Sequence, residues 1–210
     1  MANPNNAFRD ISLNPQSTAV IVVDMENEFL DPSGKYYLGD GVKDVIDKNA
    51  KLLMRCRALE IPVIYIRSVR HRDDPVFSRF GKEPYLIEGT KGATIVDELL
   101  PQEGESVVEK RTHDCFYNTQ LDHVLQKLNI KAETHHIIIT GVASNVCVYH
   151  AAIGFHVRHF YSIIPMDCTI GTPGGNDIVI SQLSGPGYEY NVSLTTSDRI
   201  SFAAQVEVVD

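Results

Sequence analysis

Positive charge is scarce in this chain: 19 Lys and Arg face 27 Asp and Glu over 210 residues, a formal net charge of −8 at pH 7. With no basic stripe to offset the acids, binding to nucleic acid is not expected. Long apolar runs are missing as well. The longest reach about half of what a bilayer-crossing helix needs, so no membrane span is expected. The opening stretch, MANPNNAFRD, has no apolar core and does not read as a secretory signal. Paired cysteine spacing is absent too, since Cys56, Cys115, Cys147 and Cys168 are scattered without a C-x-x-C. That pattern speaks against a disulfide framework or structural zinc and favours a reducing, cytoplasmic setting. No repeat, low-complexity tract or domain-scale linker interrupts the chain. Residues 1–210 are therefore expected to form one domain, with a tail at 1–15 and a C-terminal extension at 185–210.

What the chain does hold is an alternation of strand-like and helix-like segments. Residues 18–24 (TAVIVVD) form a continuous β-branched run, the mark of a strand buried on both faces. A near-helical apolar period follows over 44–59, then a strand at 62–66 (PVIYI). Residues 68–91 lack periodicity and are read as a long loop, of the kind that is usually functional. Further segments read as a short helix at 94–100, a strand at 106–109 ending at Lys110, and an amphipathic helix at 118–128. Strands at 136–140, 160–166 and 192–195, with a helix at 144–155, complete the series. This order predicts an α/β fold of three layers, α/β/α, with a mostly parallel central sheet of about six strands.

A dinucleotide site is excluded at one place. The fingerprint G-x-G-x-x-G belongs directly after the first strand, where this chain has the acidic Asp24-Met25-Glu26-Asn27-Glu28. The later Gly171-Thr172-Pro173-Gly174-Gly175 opens no recognisable helix and is read as a loop.

Three residues stand where such folds build active sites, at strand C-termini and helix N-termini. Asp24 ends an otherwise apolar strand, Lys110 leaves another, and Cys147 falls in the first turn of a helix after Gly141-Val142-Ala143-Ser144-Asn145-Val146. A helix N-terminus favours a thiolate, and a partly desolvated acid is suited to accept a thiol proton. Each residue also has a plainer reading: a packed core cysteine, a turn-capping acid, a solvated lysine. Arg67, Arg70, His71 and Arg72 gather beside the expected cleft. They read either as a solvated loop or as a source of one arginine that grips a substrate carboxylate. Phe29, Tyr117 and Phe155 are candidates for pocket walls, whereas Asn118 and Thr119 read as caps of the following helix.

The segments TAVIVVDMENEF (18–29), VVEKRTHDCFYNTQLDHVLQKLNI (107–130) and IIITGVASNVCVYHAA (137–152) resemble the isochorismatase-like cysteine hydrolases. That family includes nicotinamidases, N-carbamoylsarcosine amidases, ureidoacrylate and biuret amidohydrolases, and isochorismatase itself. The resemblance implies Asp24 as general base, Lys110 as its electrostatic partner and Cys147 as nucleophile. It also implies a cis peptide between Val142 and Ala143, and an oxyanion hole from the N–H groups of Ala143 and Cys147. Metal-binding members place an Asp-x-His pair and a later histidine where this chain has Val69, His71 and Phe77, so no metal is expected. No organic cofactor is implied, and relatives commonly assemble as homodimers or homotetramers. The expected activity is hydrolysis of a small linear amide or ureido compound through a thioester. Two alternatives are vinyl ether cleavage, which relatives perform with another residue at the cysteine position, and a catalytically silent interaction module.

Overall fold

A computed structural model describes residues 8–184 and 190–203. The chain runs through β1 (Ile11–Leu13), β2 (Thr18–Val23), α1 (Asn27–Leu30), α2 (Val42–Ala58), β3 (Val63–Ser68), α3 (Pro75–Phe80) and β4 (Ser106–Lys110). It continues through α4 (Leu121–Lys127), β5 (His136–Val142), α5 (Tyr149–His156), β6 (Tyr161–Pro165), β7 (Thr169–Ile170), α6 (Gly175–Ser184), β8 (Val192–Thr195) and β9 (Ile200–Phe202).

Six of these strands form the parallel central sheet in the order β4-β3-β2-β5-β6-β8, with the short β7 pairing against the end of β5. The fold is therefore the predicted α/β sandwich. The period-two geometry of β2 explains its unbroken apolar run. Ala19, Ile21 and Val23 pack into a core shared with Leu121 and Leu125 of α4, Ala151 and Phe155 of α5, and Val179 and Leu183 of α6. Val20 and Val22 face the opposite core, with Val45, Leu52, Leu53 and Cys56 of α2. Both faces are covered, as an all-parallel sheet requires.

The strand order places the site. The chain moves outward from β2 to β3 and β4, then returns to lay β5 along the other side of β2. Outside the carboxyl ends of those two strands is the switch point where open α/β sheets bind ligands. Asp24 follows β2 there, and Ala143 to Cys147 follow β5. Gly141 lets the two strand ends approach: its φ is +105°, and a Cβ would collide with the backbone of Val23, its partner in register.

Several expected boundaries shift. The segment read as a 68–91 loop contains α3, capped by Asp74 Oδ1, which accepts the Val76 N–H at 3.1 Å, and ended by Gly81 at φ 59°. The helix expected at 94–100 does not form. Val96 N–H instead donates to Met25 O at 3.0 Å beside a Glu26–Ile95 bridge, leaving only a single 3-10 turn at Asp97–Leu99. Gly175 does open a helix, α6, whose short apolar stripe of Val179 and Leu183 gave little periodic signal. Helix α4 begins at Leu121 rather than 118. Thr119 Oγ1 accepts the Leu121 N–H at 3.2 Å, while Asn118 sits at φ 53° without a capping bond. Strand β1, inside the expected tail, pairs in parallel with β9, inside the expected extension. Residues 1–7, 185–189 and 204–210 of that tail and extension lie outside the described residues.

Candidate active site

Asp24, Lys110 and Cys147 converge. Asp24 is fully buried, and its backbone takes a left-handed φ of 50° that turns the chain out of β2. Lys110, the last residue of β4, is 2% exposed, and its ammonium donates to Asp24 Oδ2 at 2.7 Å. The same Nζ donates to Ser68 Oγ at 2.7 Å and to Thr112 O at 3.1 Å, and it lies 3.4 Å from Cys147 Sγ. Ser68, at the end of β3, donates its hydroxyl to Asp24 Oδ1 at 3.0 Å. Both carboxylate oxygens are thus held by donors, and one ammonium spans the acid and the sulfur.

Cys147 lies in a π-helical turn, Ser144–Val148, that leads into α5; the Val148 N–H reaches back five residues to Ala143 O at 3.2 Å. The Val142–Ala143 peptide just upstream is cis. Burial pushes the Cys147 thiol well above its ordinary value, the Asp24 carboxylate pushes it further, and Lys110 opposes both. Burial and Asp24 thus favour the neutral thiol, against the opposing pull of Lys110. For Lys110, burial alone would favour the neutral amine, but Asp24 and Cys147 outweigh it and raise the ammonium's pKa.

Two further acid–base groups stand in this cluster. Glu26 is fully buried; its Oε2 accepts the Ser68 N–H at 2.8 Å, while Oε1 has no hydrogen-bond partner among the described residues. Burial first, then the neighbouring Asp24, raises its carboxyl well above the usual range. His113 is exposed on one side, with Nδ1 3.5 Å from Cys147 Sγ.

Cys147 opens onto a cavity of about 740 Å³ walled by Phe29, Arg70, Tyr85, His113 and Ala143. A second cavity of about 790 Å³ holds His71 and Tyr117 and shares Arg70 and His113 as its partition from the first. Among the residues expected to touch substrate, Phe29 and Arg70 therefore face the sulfur's cavity, whereas His71 and Tyr117 face the other. His71 Nδ1 stands 3.2 Å from Glu88 Oε2. Arg67 lines neither cavity, because its guanidinium is ion-paired with Glu109 across the β3–β4 register. Phe155 is core, packed edge-on against Phe116 and Phe160.

The Isochorismatase domain profile matches residues 18–185 of this sequence. The chain belongs to the isochorismatase family. Among its isochorismatase-like relatives, ureidoacrylate amidohydrolase RutB of Agrobacterium fabrum is 32% identical over 174 residues, covering 71% of this chain and 75% of the relative. A cysteine hydrolase from Pseudomonas syringae superposes with a TM-score of 0.77 at 25% identity, covering 94% of this chain and 95% of the other. N-carbamoylsarcosine amidase from Thermoplasma acidophilum superposes with a TM-score of 0.71 at 26% identity, covering 87% and 97%.

Ser68, Glu26 and His113 went unread in the sequence of this isochorismatase-like chain. Ser68 and Glu26 matter through contacts between residues more than 40 positions apart, which no spacing reveals. His113 stood in plain view three residues after Lys110, but only the turn that folds it back over Cys147 gives it meaning. Where relatives with metal place ligands, Val69 and Phe77 are buried apolar residues. Among the described residues no group of three or more His, Cys, Asp or Glu is placed to hold a metal ion.

Proposed function

We propose that this protein is a cysteine amidohydrolase that cleaves the C–N bond of a small linear amide or ureido compound through a thioester on Cys147. The observation that carries this reading is the chain of contacts from Asp24 through Lys110 Nζ to Cys147 Sγ, which lines a cavity. Asp24 takes the thiol proton as the sulfur attacks the carbonyl carbon, and Lys110 holds the negative charge wherever it resides. A positioned base of this kind supplies about 10²–10⁴-fold. The N–H groups of Ala143 and Cys147 receive the oxyanion, each worth about a hundredfold or more in rate. The proton held by Asp24 leaves with the amine, and water then hydrolyses the thioester.

Arg70 narrows the substrate class. It is buried, its Nε has no hydrogen-bond partner, and it has no ion pair among the described residues. Its guanidinium lies over the rings of Phe77 at 5.9 Å and Tyr85 at 5.1 Å. An unpaired buried guanidinium facing a cavity is a receptor for an anion, so the favoured substrate carries a carboxylate beside its ureido or amide group. The names of the ureidoacrylate and N-carbamoylsarcosine relatives fit that class. Assembly as a homodimer or homotetramer belongs to the same reading, and sedimentation velocity measures it.

Ammonia release from a panel of amides and ureides, each with and without a carboxylate, tests the proposal against a Cys147→Ala control. Release from carboxylate-bearing ureides that vanishes in the control is the expected result. Release that survives Cys147→Ala, or none from any linear amide or ureide, overturns it.

A further inference from the structure

Asp24 serves the sulfur and the departing amine in the first half of the mechanism, but it stands back from the cavity that a hydrolytic water enters. It is fully buried, Lys110 and Ser68 occupy its two oxygens, and it does not line the cavity where an acyl group and a water molecule would stand. Several titratable side chains line that cavity, Tyr85 and Lys82 among them, and His113 is the one in contact with the sulfur, its Nδ1 3.5 Å from Cys147 Sγ. The geometry points to His113 as a further catalytic residue, the general base that activates water to hydrolyse the acyl-enzyme and then returns the proton to Cys147.

The step rests on the amidohydrolase reading and balances as follows. Water attacks the thioester carbonyl carbon as His113 Nδ1 takes one of its protons, forming a tetrahedral oxyanion. Collapse of that oxyanion breaks the C–S bond and releases a carboxylic or carbamic acid. The departing thiolate takes the proton back from Nδ1–H, so both the thiol and the neutral imidazole are regenerated. A base touching the sulfur serves both transfers without moving, since the acyl carbon is bonded to the atom that Nδ1 already faces.

The surroundings suit a base at neutral pH. Burial lowers the imidazole's pKa, and the charges of Lys110, His150 and Arg70 lower it further; Asp24 alone opposes them. The His150 ring lies 5.7 Å away between centroids. Together these influences favour the neutral imidazole, the form that accepts a proton.

p-Nitrophenyl acetate separates the two half-reactions, because its leaving group needs no proton. In wild type, the steady-state release should level off above the imidazole's titration. His113→Phe and His113→Gln should each give a full burst of p-nitrophenol and then stall. The acetyl group should persist on Cys147 by intact mass, with turnover down about a hundredfold or more. Their residual rate should climb with pH throughout, and added imidazole should restore it. The burst itself certifies that a variant is folded around a working nucleophile. An adduct that clears from either variant at the wild-type rate, or a loss of burst and turnover in equal measure in both, overturns the role of His113 alone. Failure of wild-type Cys147 to take up an acyl group from this ester or from any amide overturns the amidohydrolase reading along with it.

Discussion

Replacing Lys110 by Met isolates the contact on which the site is built. The ammonium sits with 0% of its side chain exposed, bonded to Asp24 Oδ2 and Ser68 Oγ at 2.7 Å each. Methionine matches the length of the stem but leaves the Asp24 carboxylate buried without a counter-charge. Removing one partner of a buried pair costs about 3–5 kcal/mol. For a chain of this size, each kcal/mol moves the melting temperature by about 2–4 °C, so Lys110→Met should melt about 6–20 °C below wild type at pH 7. Lys110 has its pKa raised in the folded state, so its contribution is fully present below the ordinary lysine value and is lost only as pH rises beyond it. The deficit of the variant should shrink in acid, where the stranded carboxyl takes up a proton. The double variant Asp24→Asn/Lys110→Met, with no charge left to strand, should regain most of the loss. Thermal melts followed by circular dichroism over pH 4–9 read all three. A single variant that melts within about 2 °C of wild type, or a double variant no more stable than Lys110→Met, would refute the buried ion pair as the organising contact.

Glu26→Gln keeps an acceptor for the Ser68 N–H and supplies a permanent neutral group. Because the folded-state pKa of Glu26 is raised, wild type loses stability as pH climbs above the ordinary glutamate value, at up to about 1.4 kcal/mol per pH unit, and the variant should lose less. Urea denaturation at pH 5 and pH 8 measures the difference, and parallel losses in both proteins would sink the reasoning. Arg70→Met should raise KM for a carboxylate-bearing ureide about 10- to 150-fold, the worth of a charged hydrogen bond, and leave KM for its neutral analogue unchanged. Equal effects on the two substrates would show that Arg70 serves packing rather than anion recognition.

The architecture was largely legible because its signals are local. The unbroken β-branched stretch of β2 and the alternation of strand and helix patterns name a parallel sheet before any contact is known. Position at strand ends and a helix start marked Asp24, Lys110 and Cys147 as candidates, and the resemblance to a known family joined them into one expected set with assigned roles. Elements held by long-range pairing escaped: β1 and β9 are three residues each and exist only because they find one another across the chain. The 94–100 segment has a helix-like composition, but its backbone bonds to Met25 instead, and tertiary pairing overrode propensity. Substrate contacts were the least legible. Arg67 and Arg70 are three residues apart with identical side chains. One is spent on Glu109 and the other left unpaired in the cavity, a difference set by which face of the chain meets β4.

The high pKa of the Cys147 thiol fits a nucleophile whose proton need never reach solvent. Burial raises the free-energy cost of a lone thiolate, yet the proposed reaction starts from an ion pair already in place between Asp24 and Lys110. Passing the thiol proton to Asp24 exchanges one anion for another beside the same ammonium, which is 2.7 Å from the carboxylate and 3.4 Å from the sulfur. Net charge in the buried cluster stays at zero before and after, so the large cost of creating an isolated charge is never met. The upward shift of Glu26 serves that balance, because a second carboxylate beside Asp24 would oppose placing charge on sulfur.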